Sequence, residues 1–329
     1  MHPKVSVLIK PEYLWQPRIL LRRLLPRQGI SKEIFLEYRL PWGLPIRAYR
    51  HESQGNDLMK LGVIDLPVTE LLWRLIDPGE TVIDVGANMG YMTSIFVAKV
   101  SHKSGGRVYG YEPNPFVFEL LEHNARMWQV LAPNTKIELR CLAISEESGY
   151  ASLAFPYGYE NNKGLSRIIS DKESCLTSES GDTYQKTIDV KTESLDKLFA
   201  GIEEIGVIKV DVEGHEMNVF RGAEGILKRR SVRDIIFEEN IFEANNIGRS
   251  LVSMYLKRFG YEIFAISNTL FGVRLIEIEN FDRGKQHRIW QPVSLLATRD
   301  AHRVKEKIRA KGWKSLAERG GPSRKSLKR

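Results

Sequence analysis

Short apolar runs alternate with longer stretches of helical period along most of this chain. Val82, Ile83 and Val85 form a β-branched run with a single acid, Asp84, near its end. A helical stretch over 91–100 follows. The pairing then recurs: a strand over 107–111 and a helix over 116–128, then strands over 137–144 and 151–155. Thr192-Glu193-Ser194-Leu195-Asp196 leads into a helix through Phe199, a strand covers 207–210 and a helix 217–228. Downstream come a strand over 234–237, a helix over 250–259 and strands over 261–266 and 292–298. Upstream, the Pro41 to Pro45 turn precedes a strand over 46–49, and a helix over 68–76 stops at Asp77-Pro78-Gly79. Strands separated by helices predict an α/β fold with a mostly parallel sheet and helices on both faces. The stretch 156–186 is rich in Gly, Ser, Asn and Asp and predicts a long loop over the substrate.

Charge divides the chain. Residues 1–50 carry ten Lys/Arg against three acids, and residues 300–329 carry eleven against three. The remainder is mildly acidic, with 28 basic and 35 acidic residues, although the whole chain is +8. Three parts are expected: a basic, amphipathic extension with a short hairpin over 1–57, a catalytic domain over 58–299, and a basic helix and tail over 300–329. Leu20, Leu21, Arg22, Arg23, Leu24 and Leu25 form an amphipathic piece suited to packing on the main domain or to peripheral contact with an anionic membrane. No run approaches the roughly 20 apolar residues of a membrane span. No secretory leader is read at the N-terminus, and Cys141 and Cys175 do not make a disulfide framework, so a cytoplasmic setting is expected.

Two stretches carry chemistry. In the first, Asp84-Val85-Gly86-Ala87-Asn88-Met89-Gly90-Tyr91 joins a buried strand to a helix through two glycines. The spacing lacks the second glycine of a Gly-x-Gly-x-x-Gly dinucleotide fingerprint, which excludes the nicotinamide pattern. It resembles the first motif of class I S-adenosylmethionine methyltransferases, where such a turn wraps the methionine end of the cofactor. Glu112 closes the next strand, 28 residues after Asp84, where a carboxylate can accept both hydroxyls of a ribose. Ala143 and Ser145 fall where an adenine would lie. In the second stretch, Lys209-Val210-Asp211-Val212-Glu213-Gly214-His215-Glu216 ends an apolar strand in acids, a glycine and a histidine. Asp211 and Glu213 point the same way if the strand persists through them. Glu238-Glu239-Asn240 ends the neighbouring strand with further oxygens.

Together, Ile83 to Tyr91, Tyr111-Glu112-Pro113, Ser194-Leu195-Asp196, Ile208 to Glu216 and Gly222-Ala223 resemble the FkbM-type family of SAM-dependent methyltransferases. The resemblance implies a Rossmann-like class I methyltransferase fold, with a seven-stranded, mostly parallel sheet, helices on both faces and one antiparallel strand. It implies O-methylation of sugar or secondary-metabolite hydroxyls. Cofactor contacts are then expected from Asp84, Gly86, Asn88, Gly90, Tyr91, Glu112 and Ala143. Asp211 is the expected proton acceptor, with Glu213 and His215 in support and His215 the alternative base. Glu239 and Asn240 are expected at the acceptor or, with Asp211, at a divalent metal. The expected partner is a hydroxylated small molecule or glycan. Nucleic-acid methylation is the rival reading suggested by the basic ends, and acids at the fourth strand argue against it. A non-catalytic SAM-binding module is the other rival. Oligomeric state is not readable.

Overall fold

A computed structural model describes residues 10–17, 19, 33–101, 105–156, 158–159, 162–169, 184–239, 250–281 and 293–317. The expected amphipathic piece at Leu20 to Leu25, Cys175 and Asn240 lie outside the described residues. In chain order, a helix α1 (Pro11–Trp15) precedes a hairpin of β1 (Phe35–Arg39) and β2 (Pro45–Tyr49). Helices α2 (Ser53–Leu61) and α3 (Leu66–Leu75) follow, then β3 (Thr81–Val85), α4 (Tyr91–Val100), β4 (Arg107–Tyr111), α5 (Pro115–Leu131) and β5 (Lys136–Arg140). A smaller sheet is built from β6 (Ala143–Ile144), β7 (Gly149–Pro156), β8 (Arg167–Ile169) and β9 (Tyr184–Glu193). The chain continues through α6 (Leu195–Leu198), β10 (Ile205–Val210), α7 (Glu216–Arg221), α8 (Glu224–Lys228), β11 (Val232–Glu239), α9 (Leu251–Lys257), β12 (Glu262–Thr269), β13 (Gly272–Glu277), β14 (Val293–Thr298) and α10 (Ala301–Arg309).

The main sheet has eight strands in the order β13-β12-β14-β11-β10-β3-β4-β5. Strands β5, β4, β3, β10 and β11 are parallel, and β14 runs against β11 and β12. These are the seven expected strands with one reversed. The eighth, β13, is an edge strand paired only with β12. Side chains alternate across the sheet because successive Cβ atoms point to opposite faces. Val82, Val207 and Ile236 join the core under α3, α4 and α5; Ile83, Ile208 and Phe237 join the core under α6 to α9.

Several local expectations are corrected. The strand expected over 137–144 is two strands in different sheets, broken at Cys141 and Leu142. The stretch 156–186 is not loop throughout, since it holds β8, a single turn of 3₁₀ helix at Lys163–Leu165 and the start of β9. Thr192 and Glu193, expected only to lead into the next helix, end that ten-residue strand, and the helix starts after its Ser194 cap. The helix expected over 217–228 breaks at Gly222-Ala223. A Cβ at Gly222 would lie 2.0 Å from the Ser145 carbonyl oxygen, so close backbone approach requires glycine there.

Both ends of the described chain pack on the body. Asn124 of α5 accepts from Arg47 N–H (2.7 Å) and donates to the carbonyls of Arg47 (3.0 Å) and Met89 (2.8 Å), so the hairpin braces the 86–90 turn. Past α10, the buried Glu70 carboxylate of α3 accepts from the N–H groups of Lys314 (2.9 Å) and Ser315 (2.8 Å), and pairs with Arg74 at 2.5 Å. Arg74 also donates to the Gly312 carbonyl at 2.6 Å.

Candidate functional site

A cleft of about 270 Å³ opens at the carboxyl ends of β3, β4, β10 and β11. It straddles β3 and β10, where the strand order reverses, which is where open α/β sheets bind ligands. One wall is the turn after β3. Gly86 has φ +76°, and a Cβ on it would lie 1.8 Å from the Asp211 carbonyl oxygen, so glycine lets β3 and β10 converge. The N–H groups of Gly86 and Ala87 both donate to the Tyr111 carbonyl at 2.9 Å, and Asn88 N–H donates to Glu112 at 2.8 Å. Met89 N–H is taken by the Asn88 side chain (2.6 Å) and Gly90 N–H by the Ala87 carbonyl (2.9 Å). The turn therefore spends its backbone donors internally and is no cradle for a pyrophosphate, which needs such donors free.

Glu112 lines the cleft at the end of β4. Its two oxygens accept from Asn88 N–H (2.8 Å) and Asn114 N–H (2.9 Å). A carboxylate has about four lone-pair sites, so acceptor capacity for a vicinal diol remains. Burial pushes this carboxyl up to about 7, against the pull of the two backbone N–H groups. Leu142, Ala143 and Ile144 form an apolar wall beside it.

The polar floor lies on the α3 side of the sheet. Asp84 and Lys209 are register partners on β3 and β10, and Lys209 Nζ sits 3.8 Å from Asp84 and 3.1 Å from Asp211. Asp84 accepts from Thr93 Oγ1 at 2.5 Å and is fully buried behind the cleft wall, with burial raising its carboxyl. Burial works against the Lys209 charge, but Asp211 and Asp84 outweigh it and hold the ammonium. Glu238 of β11 also faces the cleft; burial first, then the nearby Asp211 charge, pushes its carboxyl well up. Asp65 caps α3 by accepting from Val68 N–H at 3.3 Å. It is open to the cleft mouth, yet the surrounding protein desolvates it enough to raise it to about 6.

Strand β10 ends at Val210, so Asp211 and Glu213 sit in a turn and not on a continuing strand. Glu213 (φ 52°) and Gly214 (φ +100°) are both left-handed. Buried Glu216 accepts from Gly214 N–H at 3.1 Å and holds this turn. His215 Nε2 lies 2.9 Å from Ser145 Oγ, and burial lowers the imidazole to about 4, so it is neutral at pH 7. Residues 162–169 cover the opening. Asn114 Nδ2 donates to Tyr159 OH (2.8 Å) and Ser166 Oγ (3.3 Å), and Lys163 pairs with Glu52 of the segment leading into α2 at 3.0 Å.

The cleft thus brings together Gly86, Asn88, Tyr91, Glu112, Ala143, Asp211, Glu213 and His215. Gly90 does not line it, and a Cβ there would meet Leu121 at 2.6 Å. Glu239 turns to the opposite face, accepts from Ser253 Oγ at 3.4 Å and does not line the cleft. Asn240 is outside the described residues, and among those described no three His, Cys, Asp or Glu are arranged to hold a metal. The sequence pattern assigned no role to Asp65, Arg167, Lys209 or Glu238, all of which line the cleft. For Glu238 the signal was present: alternation along β11 puts it on the Ile236 face, with Lys209 and Asp211.

The sheet order, the reversed strand and the glycine turn define a Rossmann-like methyltransferase fold of class I. The chain belongs to the FkbM methyltransferase domain family, whose pattern it matches over residues 84–263, more than half its length. It is 29% identical over 171 residues to the hexuronic acid methyltransferase AglP of Haloferax volcanii, covering 52% of this chain and 60% of that protein. It is 28% identical over 213 residues to the 31-O-demethyl-FK506 methyltransferase FkbM of Streptomyces tacrolimicus, covering 59% of this chain and 77% of that one. The crystal structure of an FkbM methyltransferase from Methylobacillus flagellatus aligns at 14% identity and a TM-score of 0.39, covering 67% of this chain and 43% of that chain. No described helix is long and apolar enough to cross a membrane.

Proposed function

We propose that this protein is an S-adenosylmethionine-dependent O-methyltransferase acting on a hydroxyl of a sugar, glycan or secondary metabolite. The observation that carries the reading is Glu112: a buried carboxylate at the end of β4, pinned by two N–H groups, facing the cleft beside the glycine turn of an FkbM-family domain. One curated relative is named as a hexuronic acid methyltransferase and the other as a 31-O-demethyl-FK506 methyltransferase, which supports a hydroxylated acceptor.

The residues fit the cofactor. Glu112 would take the ribose hydroxyls, the Leu142 to Ile144 wall would hold the adenine, and the 86–88 turn would close over the methionine end. The sulfonium, when bound, supplies an activated methyl group. The protein's part is to hold the acceptor oxygen in line, roughly 3 Å away, and to take its proton. Asp211 is the acceptor of that proton in this reading, with Lys209 fixing one of its oxygens. His215 is neutral and could accept a proton, but Ser145 lies against its Nε2, so it is given the positioning role. Glu213 contributes from the same turn. The acceptor is placed beneath the 162–169 segment, beside Asp65 and Glu238.

The test is methyl transfer to a panel of hydroxylated acceptors, with and without a chelator. Turnover that survives chelation and falls at least about a hundredfold in Asp211→Asn supports general-base catalysis by that residue. Undiminished turnover in Asp211→Asn removes it, and cofactor binding with no turnover on any acceptor supports a non-catalytic module instead.

A further inference from the structure

The β12–β13 hairpin turns at Leu270 and Phe271, and α1 and the 312–313 segment both meet this tip. Trp15 Nε1 and Trp313 Nε1 donate to the Leu270 carbonyl at 3.3 and 3.2 Å, and Gly312 N–H donates to the Phe271 carbonyl at 2.7 Å. The backbone is thus tied down, yet the apolar side chains remain in solvent: Leu14 is 55% exposed, Trp15 44%, Leu270 39% and Phe271 64%. Scattered exposed apolar residues need no explanation, but four on two segments, α1 and the hairpin tip to which it is bonded, do.

The charge around the tip is basic. Lys311 and Lys314 are exposed on either side of Gly312 and Trp313, and Arg274 is exposed three residues beyond Phe271. Of the nearby acids, Glu12 turns one oxygen inward and Glu306 is paired with Arg309. Gln16 Nε2 donates to the Leu316 carbonyl at 3.4 Å, so the segments following both residues start from this place. In sequence, 18–32 holds Arg18, Arg22, Arg23, Arg27 and Lys32 and no acid, and 319–329 holds five more Lys/Arg and no acid.

We propose that this face docks on an anionic lipid bilayer. Leu14, Trp15, Leu270 and Phe271 would enter the boundary between headgroups and acyl chains, and the surrounding Lys and Arg would face anionic headgroups. Aromatic side chains with an apolar body and a bonded polar edge suit that depth. The aliphatic share of the patch favours acyl chains over stacking on nucleic-acid bases. The docking face does not depend on the acceptor or on cofactor binding.

The experiment is co-sedimentation of the full chain with vesicles of phosphatidylcholine, alone or mixed with phosphatidylglycerol. The expected result is at least about fivefold more protein bound to the anionic vesicles, falling by a similar factor at high salt, in Leu14→Ser/Phe271→Ser and in Lys311→Gln/Lys314→Gln. The melting profile of the variants should match wild type. Equal binding to both vesicle types overturns the proposal. So does undiminished anionic-vesicle binding by the Leu14→Ser/Phe271→Ser variant, which would assign attachment to charge elsewhere. A patch variant that lowers the sedimentation mass of the protein, with no vesicle binding in wild type, would make the patch a protein interface and overturn it as well.

Discussion

Asp211, Lys209 and Glu238 meet in the cleft: Lys209 and Glu238 face it by side-chain alternation on parallel strand ends, and Asp211 reaches them from the turn after β10. His215 offers a separate test of the geometry, because burial lowers it from an ordinary 6.5 to about 4. Between those values the unfolded imidazole binds a proton that the folded one does not, so this residue's contribution falls as pH drops through that window. Glu112 and Glu239, both raised to about 7, act with the opposite slope, losing their contribution as pH rises toward that value. The difference between wild type and His215→Gln therefore isolates the histidine. Urea unfolding should show wild type losing more stability than the variant between pH 7 and pH 5; parallel losses would place the imidazole in solvent. Glu112, Asp211, Glu213 and His215 were legible in the sequence because each follows an apolar run directly. Lys209 and Asp65 were not. A lysine inside an apolar run and an acid before a proline-containing helix gain meaning only when β10, β3 and α3 come together.

At the scale of elements, the turn after β3 works by shape. Its N–H groups are consumed by Tyr111, Glu112 and its own residues, so what it offers a ligand is a close wall. Gly86→Ala would drive a Cβ into the Asp211 carbonyl at a positive φ. A fall in unfolding midpoint of roughly 5 °C or more is expected, together with loss of cofactor binding. An unchanged midpoint in a thermal melt would mean that the two strand ends are not held together as described. The parallel strands were readable because their faces are buried on both sides and their apolar runs are continuous. The smaller sheet was not. β9 is mostly polar, with exposed and buried positions mixed, and its pairing with β7 supplies what its composition does not. Leu139 and Leu142 keep residues 137–144 apolar and so predict one strand, while the chain crosses between sheets there.

At the scale of the whole molecule, the C-terminal segment is bonded to the core through Glu70, whose carboxylate is fully buried and shared by Arg74, Lys314 and Ser315. Glu70→Ala would leave a buried guanidinium and two N–H groups without that partner. About 3–5 kcal/mol of stability should be lost in urea unfolding, as for other broken buried pairs. A loss under about 1 kcal/mol would show that residues 312–316 are not bonded to α3 as described. Removing 300–317 should cost a comparable amount, since it strips the same contacts. In the proposed reading the Glu112 carboxylate anchors a nucleoside in the cleft, beside a glycine turn braced by the N-terminal hairpin. The most direct test is calorimetric titration of S-adenosylhomocysteine into wild type and Glu112→Ala. The expected result is saturable one-to-one binding by wild type and at least about tenfold weaker binding by the variant, the loss of charge-assisted hydrogen bonds to a diol. Absence of binding to wild type, or equal affinity in the two proteins, would contradict the assignment.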